Sequence, residues 1–489
     1  MKLLKRNLHL IIIGLISLLY YLCLCCTDYT WLFASGDSGD WLAAANMWIV
    51  PQPYGSPLYI TLGRIISYLP FDLPAAMTIL LSVIPSVITV VFVCLIVTKL
   101  SGKKILGILA SAILLGSAVF LSQSTILEEY AIAVMFVVLA YWFYLHDRKV
   151  LTALMLGLGT AIHIVPLAIA GLWMLLHLRQ LNLWVKPIIV FVVSGLLPYG
   201  LILYLLAGAG YPFLGGYGLS LEAIRSYITT TGVFGSLTIF QFPDRVIDFT
   251  AIMLTSFGIA LIPAVAFFKK RPWEMRQKLI FIVIFFSLWY YLTCLDPTAW
   301  TFVSYASPFI AIAATLGIAK LNKPGLTQMV IVGAIALMLL NSIGFNAAIL
   351  NKQSPIATDY YNNVMALPDN SALVLNRGGF EGMAVMYAIS EGKDITPIFF
   401  TSYDYKNNVA YTNYTKWAND VLGLQGTNTQ ELVYSAMQQG KEVYIIDDFM
   451  RKWNAAFSVI DTDNAEFDKI AYVNIEVEVH NEDNRFIEK

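Results

Sequence analysis

The chain is 489 residues long, with 58% hydrophobic residues, 13% charged residues and a formal net charge of −1. Soluble domains average roughly 45–50% apolar and about 25% charged residues, so this balance excludes an ordinary soluble domain and indicates a polytopic membrane protein. The near-zero total hides a segregation of lysine and arginine into particular loops, and no nucleic-acid partner is expected.

The first residues, "MKLLKRNLHL", are basic and lead into an apolar run ending near Cys26. No small-residue cleavage site follows, so a retained helix is expected, with a signal peptide as the alternative. A window of about 20 residues finds further apolar spans at 73–98, 105–122, 129–146, 187–206, 248–268, 279–295, 301–319 and 326–346. The stretch 150–178 is long for one crossing and short for two, and His163 and Pro166 interrupt it. Basic flanks on both sides, "HDRK" and "HLRQLNLWVK", favour the same face of the membrane, which predicts a hairpin of two short helices. With that choice the basic loops all fall on one side. The expectation is about eleven crossings, a cytoplasmic N-terminus and an extracytoplasmic C-terminus.

Beyond about residue 350 the composition becomes polar, with strand-like runs such as "SALVLNR", "EVYIID" and "DKIAYVNIEVEVH". The chain thus divides into a membrane part, 1–349, and a small soluble α/β domain, 350–489. Cys23, Cys25, Cys26, Cys94 and Cys294 fall in apolar segments or at their ends, so no disulfide framework and no zinc motif is expected. "NYT" at Asn413 fits a glycosylation sequon.

The first outer loop, 27–72, is unusually polar and punctuated. Trp41, Leu42, Ala45, Trp48 and Ile49 fall at helical spacing, as do Leu58, Tyr59, Leu62, Ile65, Ile66 and Leu69. Two amphipathic helices lying along the interface are predicted, broken by the prolines and glycine of "VPQPYGSP". This arrangement would hold Asp37 and Asp40 at head-group level. Glu128 and Glu129 begin the span at 129–146, and carboxylates near hydrocarbon are expensive enough to suggest function. A helix-start charge at a favourable dipole end is the alternative for at least one of them.

"GDSGDWLAAA" followed by "PQPYGSPLYITLGR" resembles the signature of a family of polytopic proteins that includes the eukaryotic protein O-mannosyltransferase acting on plexin-type receptor domains. "FLSQSTILEEYAIAVMF", "GLGTAIHIVPL" and "LDPTAWTFVSYASPFIAIAATLGI" are similar, in order, to later segments of that family. The chain departs from the pattern at Asp40 (usually glutamate), Gln52 (histidine), Tyr54 (proline) and the lone His163. These departures bear on sugar and acceptor more than on fold.

The resemblance implies a mainly α, polytopic GT-C glycosyltransferase, transferring sugar from a polyprenyl-phosphate carrier to a hydroxyl of a protein or glycan acceptor at the outer face. Inverting displacement at the anomeric carbon needs a base for the acceptor proton and a positive group or a divalent metal for the departing phosphate. The family position assigns the base to Asp37, whereas the spacing of Asp37 and Asp40 also suits a helix cap. Asp40 and Glu129 are the other catalytic candidates, and Glu128 lines the substrate. Arg64 and Arg225 are candidates for the lipid phosphate, each with snorkelling to head groups as the alternative. His163 is a candidate hydrogen-bond partner of substrate or a helix-packing residue, and Tyr54 and Tyr59 are candidates to stack on sugar or to belong to the interfacial belt. The rival class is a transporter or flippase of lipid-linked sugars, which would place carboxylates near the bilayer midplane within inverted repeats. Here the acids cluster at span ends and no repeat is evident.

Overall fold

The computed structural model describes residues 2–27, 38–48, 56–200, 242–269, 273–293, 299–321, 323–352, 355–375, 380–399, 418–419, 422–446, 457–460 and 467–473. Asp37, Tyr54, Arg225, Cys294 and Asn413 lie outside these residues.

The apolar windows become helices. Helix α1 covers Lys2–Leu24, and two short helices, α2 (Ser38–Met47) and α3 (Pro57–Ser67), follow from the first outer loop. Next come α4 (Leu73–Ser101), α5 (Lys104–Leu115), α6 (Ala118–Ser124), α7 (Tyr130–Tyr144), α8 (Lys149–Ile162), α9 (Val165–Leu176) and α10 (Val185–Gly200). After residue 241 come α11 (Phe242–Phe257), α12 (Leu261–Phe267), α13 (Met275–Thr293), α14 (Val303–Leu321) and α15 (Pro324–Lys352). Among the described residues, five helical stretches are long and apolar enough to cross a membrane, and the bent α5–α6 pair makes a sixth. Helices α7 to α10 are shorter apolar helices. The chain is an integral, multi-pass membrane protein.

Helix α14 is the bundle's hub: 83% of its most apolar window is buried, and it packs against α4, α5, α6, α7, α12 and α13. In contrast, α15 turns most of its surface outward, exposing Leu339, Leu340 and Ile343 as a lipid-facing helix does. Close crossings rely on small residues, as expected where lipid removes the hydrophobic drive to associate. At the α8–α10 crossing, a Cβ added to Gly195 would stand 3.0 Å from the Gly157 backbone, so both positions need glycine.

The stretch 150–178 breaks where the sequence predicts. Helix α8 ends at Ile162, His163 is extended (φ −151°, ψ 149°), and α9 starts at Val165 with Pro166 in its first turn. Proline fits there because a first-turn N–H has no intrahelical partner. The predicted single span at 105–122 instead bends by 74° between α5 and α6. Gly116 ends α5, and Ser117 restarts the chain by accepting a bond from Phe120 N at 3.3 Å through Oγ.

Beyond α16 (Pro355–Ala366) lies a five-stranded mixed sheet of β1 (Ser371–Leu375), β2 (Ile395–Phe399), β3 (Glu442–Ile446), β4 (Phe457–Ile460) and β5 (Phe467–Val473). Its order is β2-β1-β3-β5-β4. β1 pairs parallel with β2 and β3, while β5 runs antiparallel to β3 and β4. Pro397 sits in β2, an edge strand, where a missing ladder N–H is tolerated. α17 (Phe380–Ser390) and α18 (Thr429–Gln438) complete this region, and α17 packs directly on α2.

Candidate active site

Helix α2 differs from its sequence expectation. Ser38 through Ala45 are all buried, Asp40 among them at 3% exposure, so α2 lies enclosed between α3 and α17 instead of lying along the interface. Helix α3 does show two faces: Tyr59, Ile60, Gly63 and Ile66 are buried, while Ile65 and Tyr68 are exposed. The Trp41 and Tyr59 rings meet edge to face at 5.1 Å, locking the two helices together.

Beneath this pair lies the non-helical segment 125–129, buried throughout. It is tied at one end by Cys26 N donating to Thr125 O at 2.7 Å, and at the other by Ser82 Oγ donating to Glu128 O at 3.3 Å. Ser82 belongs to a π-helical turn, Thr78–Val83, inside α4, a distortion often found at functional sites. Irregular backbone at membrane depth is tolerated where protein encloses it.

This segment delivers two carboxylates into the interior, with Glu128 2% and Glu129 0% exposed. Glu129 occupies the N-cap position of α7. No side-chain cap bond holds it there, although the position is the end of α7 where the helix dipole favours a negative charge. Its polar neighbours include Glu128 and the Trp41 indole, which faces it without closing a hydrogen bond of normal geometry. Tyr59, Tyr199 and Tyr305 also stand within electrostatic reach of its carboxylate. Trp41 Nε1, the Tyr59 hydroxyl, and both Glu129 oxygens are buried without a hydrogen-bond partner among the described residues. Leaving such groups unmet costs about 1–3 kcal/mol each, more when charged, so a fold keeps them together when they have a use.

His163 is brought to the same end of the bundle by the α8–α9 break. Tyr305 OH donates to His163 Nδ1 at 3.0 Å, and Val165 N donates to the same nitrogen at 3.3 Å. Accepting both fixes the tautomer with the proton on Nε2. Tyr130 and Phe302 pack on the imidazole at 5.1 and 5.5 Å between ring centroids. Tyr199 on α10 donates to Thr160 O at 2.7 Å, holding its ring beside the cluster.

Arg64 is placed otherwise. Its Nη1 donates to the carbonyls of Ala45, at 3.2 Å, and Asn46, at the C-terminus of α2, and its guanidinium lies 4.8 Å from the Tyr68 ring. Cation and helix C-terminus complement one another, so Arg64 anchors α2. Asn46 Nδ2 donates in turn to Ser390 Oγ at 3.3 Å and Glu391 Oε1 at 2.5 Å, which ties α2 to the sheet region. Among the described residues no group of three or more His, Cys, Asp or Glu side chains is placed to hold a metal ion.

The structure thus gathers Asp40's helix, Tyr59, Glu128, Glu129 and His163 at one end of the bundle. Sequence reasoning missed Tyr130, Tyr199 and Tyr305 as members of the cluster. Tyrosines within otherwise apolar helices were the available signal, since a buried hydroxyl needs a partner.

Residues 37–193 match the family model of the protein O-mannosyl-transferase TMEM260 N-terminal domain. No curated protein sequence matches the chain. Among solved structures, ArnT from Cupriavidus metallidurans bound to undecaprenyl phosphate superimposes with a TM-score of 0.63 at 10% identity, over 96% of this chain and 98% of that one. The apo state of the same protein gives a TM-score of 0.64 at 10% identity, with the same coverage. The resemblance read from the sequence is borne out, and so are the GT-C fold and the glycosyltransferase class.

Proposed function

We propose that this GT-C glycosyltransferase moves a sugar, mannose being the first candidate, from a polyprenyl-phosphate carrier to a hydroxyl of a protein or glycan acceptor at the outer face of the membrane. The observation that carries the reading is the buried Glu129 carboxyl group, without a hydrogen-bond partner among the described residues, with the likewise unmet Trp41 N–H and Tyr59 hydroxyl beside it, inside the segment that matches the O-mannosyl-transferase domain. Unmet donors and acceptors in a protein-enclosed site suit a polyhydroxylated ligand, and the neighbouring aromatic faces suit its pyranose ring.

In this mechanism the acceptor oxygen attacks the anomeric carbon as the bond from that carbon to the phosphate oxygen breaks. The carrier leaves as polyprenyl phosphate, the configuration inverts, and the acceptor proton passes to a carboxylate. Asp37, the residue before α2, is the proposed base. Asp40, one helical turn on, and Glu129 orient the sugar and the acceptor, and Glu128 lines the site. Arg225 is the proposed partner of the departing phosphate, since Arg64 is already engaged by α2. His163, whose Nδ1 accepts from Tyr305 and Val165, is the proposed hydrogen-bond partner of the substrate. The solved relative bound to undecaprenyl phosphate supports a polyprenyl carrier, and the loop charges support an extracytoplasmic tail and a cytoplasmic N-terminus.

Purified chain given polyprenyl-phosphate-linked radiolabelled mannose and an acceptor peptide mixture should release polyprenyl phosphate in step with acceptor labelling. Movement of intact donor across a vesicle bilayer without cleavage would instead establish the transporter reading.

A further inference from the structure

At the opposite end of α7, α8 and α9 from the carboxylate cluster lies a second feature that glycosyl transfer does not use. Helix α7 has 15 residues, which separates its two ends by about 22 Å. There, α8, α9 and α10 diverge around an apolar slot of about 300 Å³. Leu156, Met174, Trp173, Ile188 and Phe191 are among its walls. Tyr144, His177 and Thr152 in its wall are satisfied locally: His177 Nδ1 donates to Trp173 O at 2.8 Å, Tyr144 OH donates to His177 Nε2 at 3.3 Å, and Thr152 Oγ1 donates to Arg148 O at 3.1 Å. The interior therefore offers a ligand chiefly hydrocarbon, with the Trp173 and Trp184 indole N–H groups, which have no partner among the described residues, as its polar points. Gly171 on α9 lines the slot, and a Cβ there would meet nothing within 4 Å. The slot is open to occupation from that side.

The rim is the reverse. Lys149, half-buried one turn before Thr152 and Ala153 of the slot wall, holds its ammonium 6.0 Å from the Trp184 ring. Arg148, Arg179 and Lys186 are exposed and lie within four residues in sequence of the slot-lining Thr152, His177 and Trp184. Lys149's acidic neighbour is Asp147 at 3.9 Å, 89% exposed, a pairing too solvated to neutralise it. A largely apolar slot, open at Gly171 and flanked by cationic side chains, is complementary to an amphiphile with an anionic head.

We infer that the slot between α8, α9 and α10 binds an anionic glycerophospholipid, with an acyl chain in the slot and the phosphodiester on Lys149 and the neighbouring arginine and lysine side chains. The assignment stands independently of the catalytic reading, because it uses none of the residues proposed for transfer. A lipid wedged there would brace the α8–α10 crossing at Gly157 and Gly195, next to the π-helical turn at Val192–Leu196.

The test is native mass spectrometry of the full-length chain from mixed micelles holding equal amounts of dioleoyl phosphatidylglycerol and dioleoyl phosphatidylcholine. The wild type should retain the glycerol lipid about fivefold over the choline lipid, the preference one well-placed lysine supplies. Gly171→Leu, which fills the slot while favouring the helix, should lose both lipids. Lys149→Gln, at a half-buried rim position, should keep lipid but lose the preference. Equal retention of the two lipids by the wild type, undiminished binding by Gly171→Leu, or an unchanged preference in Lys149→Gln would overturn the assignment. Replacement of the glycerophospholipid by an equal amount of polyprenyl phosphate would overturn it too, making the slot a carrier site.

Discussion

The two ends of helices α7 and α8 make opposite use of the same scaffold. At one end, charge is inside: Glu128 and Glu129 are buried with tyrosine, tryptophan and histidine around them. At the other, charge is outside: Arg148 and Arg179 are exposed while the slot interior carries no ionised side chain and is largely apolar. Burying a carboxylate without a counter-charge costs several kcal/mol, whereas a basic rim at a membrane surface costs almost nothing. The difference teaches which end has been shaped for chemistry: the one whose arrangement opposes stability.

That contrast breaks most readily at Glu129. Glu129→Gln keeps the size of the side chain and removes the buried carboxyl group, so transfer should fall about 10²-fold while the thermal unfolding midpoint holds or rises. A lowered midpoint with near-normal turnover would make Glu129 a packing residue. Arg64→Ala should act in the other sense. Losing the charged donor to the Ala45 and Asn46 carbonyls should lower stability by about 1.5–3 kcal/mol, read by thermal unfolding in detergent, and should raise the KM for acceptor more than it lowers kcat. Tyr305→Phe sharpens the comparison at the smallest scale. It removes the hydroxyl that donates to His163 Nδ1, worth about 1 kcal/mol. The fold should survive, and kcat should drop about fivefold, because the imidazole keeps the Val165 N–H on Nδ1 but is held less firmly in place. Equal kcat for Tyr305→Phe and wild type would remove His163 from the reaction.

The helices were largely legible because hydropathy integrates over a whole span, and one substitution hardly moves a window of about 20 residues. The break at His163 was legible for a local reason, since Pro166 cannot continue a helix from α8 and basic flanks demanded a return. The bend at Gly116 and Ser117 was not, because an apolar window does not register a serine that restarts a helix by capping it. β1, β3 and β5 showed as apolar runs, but β2 carries Pro397, which demotes a run to edge strand or loop in any sequence reading. In the site, the acidic residues stood out because charge in an apolar setting is conspicuous. Tyr199 and Tyr305 did not, because their place depends on which helices meet, and α10 and α14 lie far apart in sequence. The enclosure of α2 was hidden for the same reason: α17, which covers it, comes more than 300 residues later.

The central claim, that this chain transfers sugar using a loop carboxylate as base, is tested most directly by comparing wild type with Asp37→Asn for label transfer from polyprenyl-phosphate mannose. Asparagine caps a helix about as well as aspartate, so a capping role predicts no change. The account predicts that Asp37→Asn purifies normally, binds the donor and transfers 10²–10⁴-fold more slowly. Near-normal transfer by a well-folded Asp37→Asn protein would contradict it.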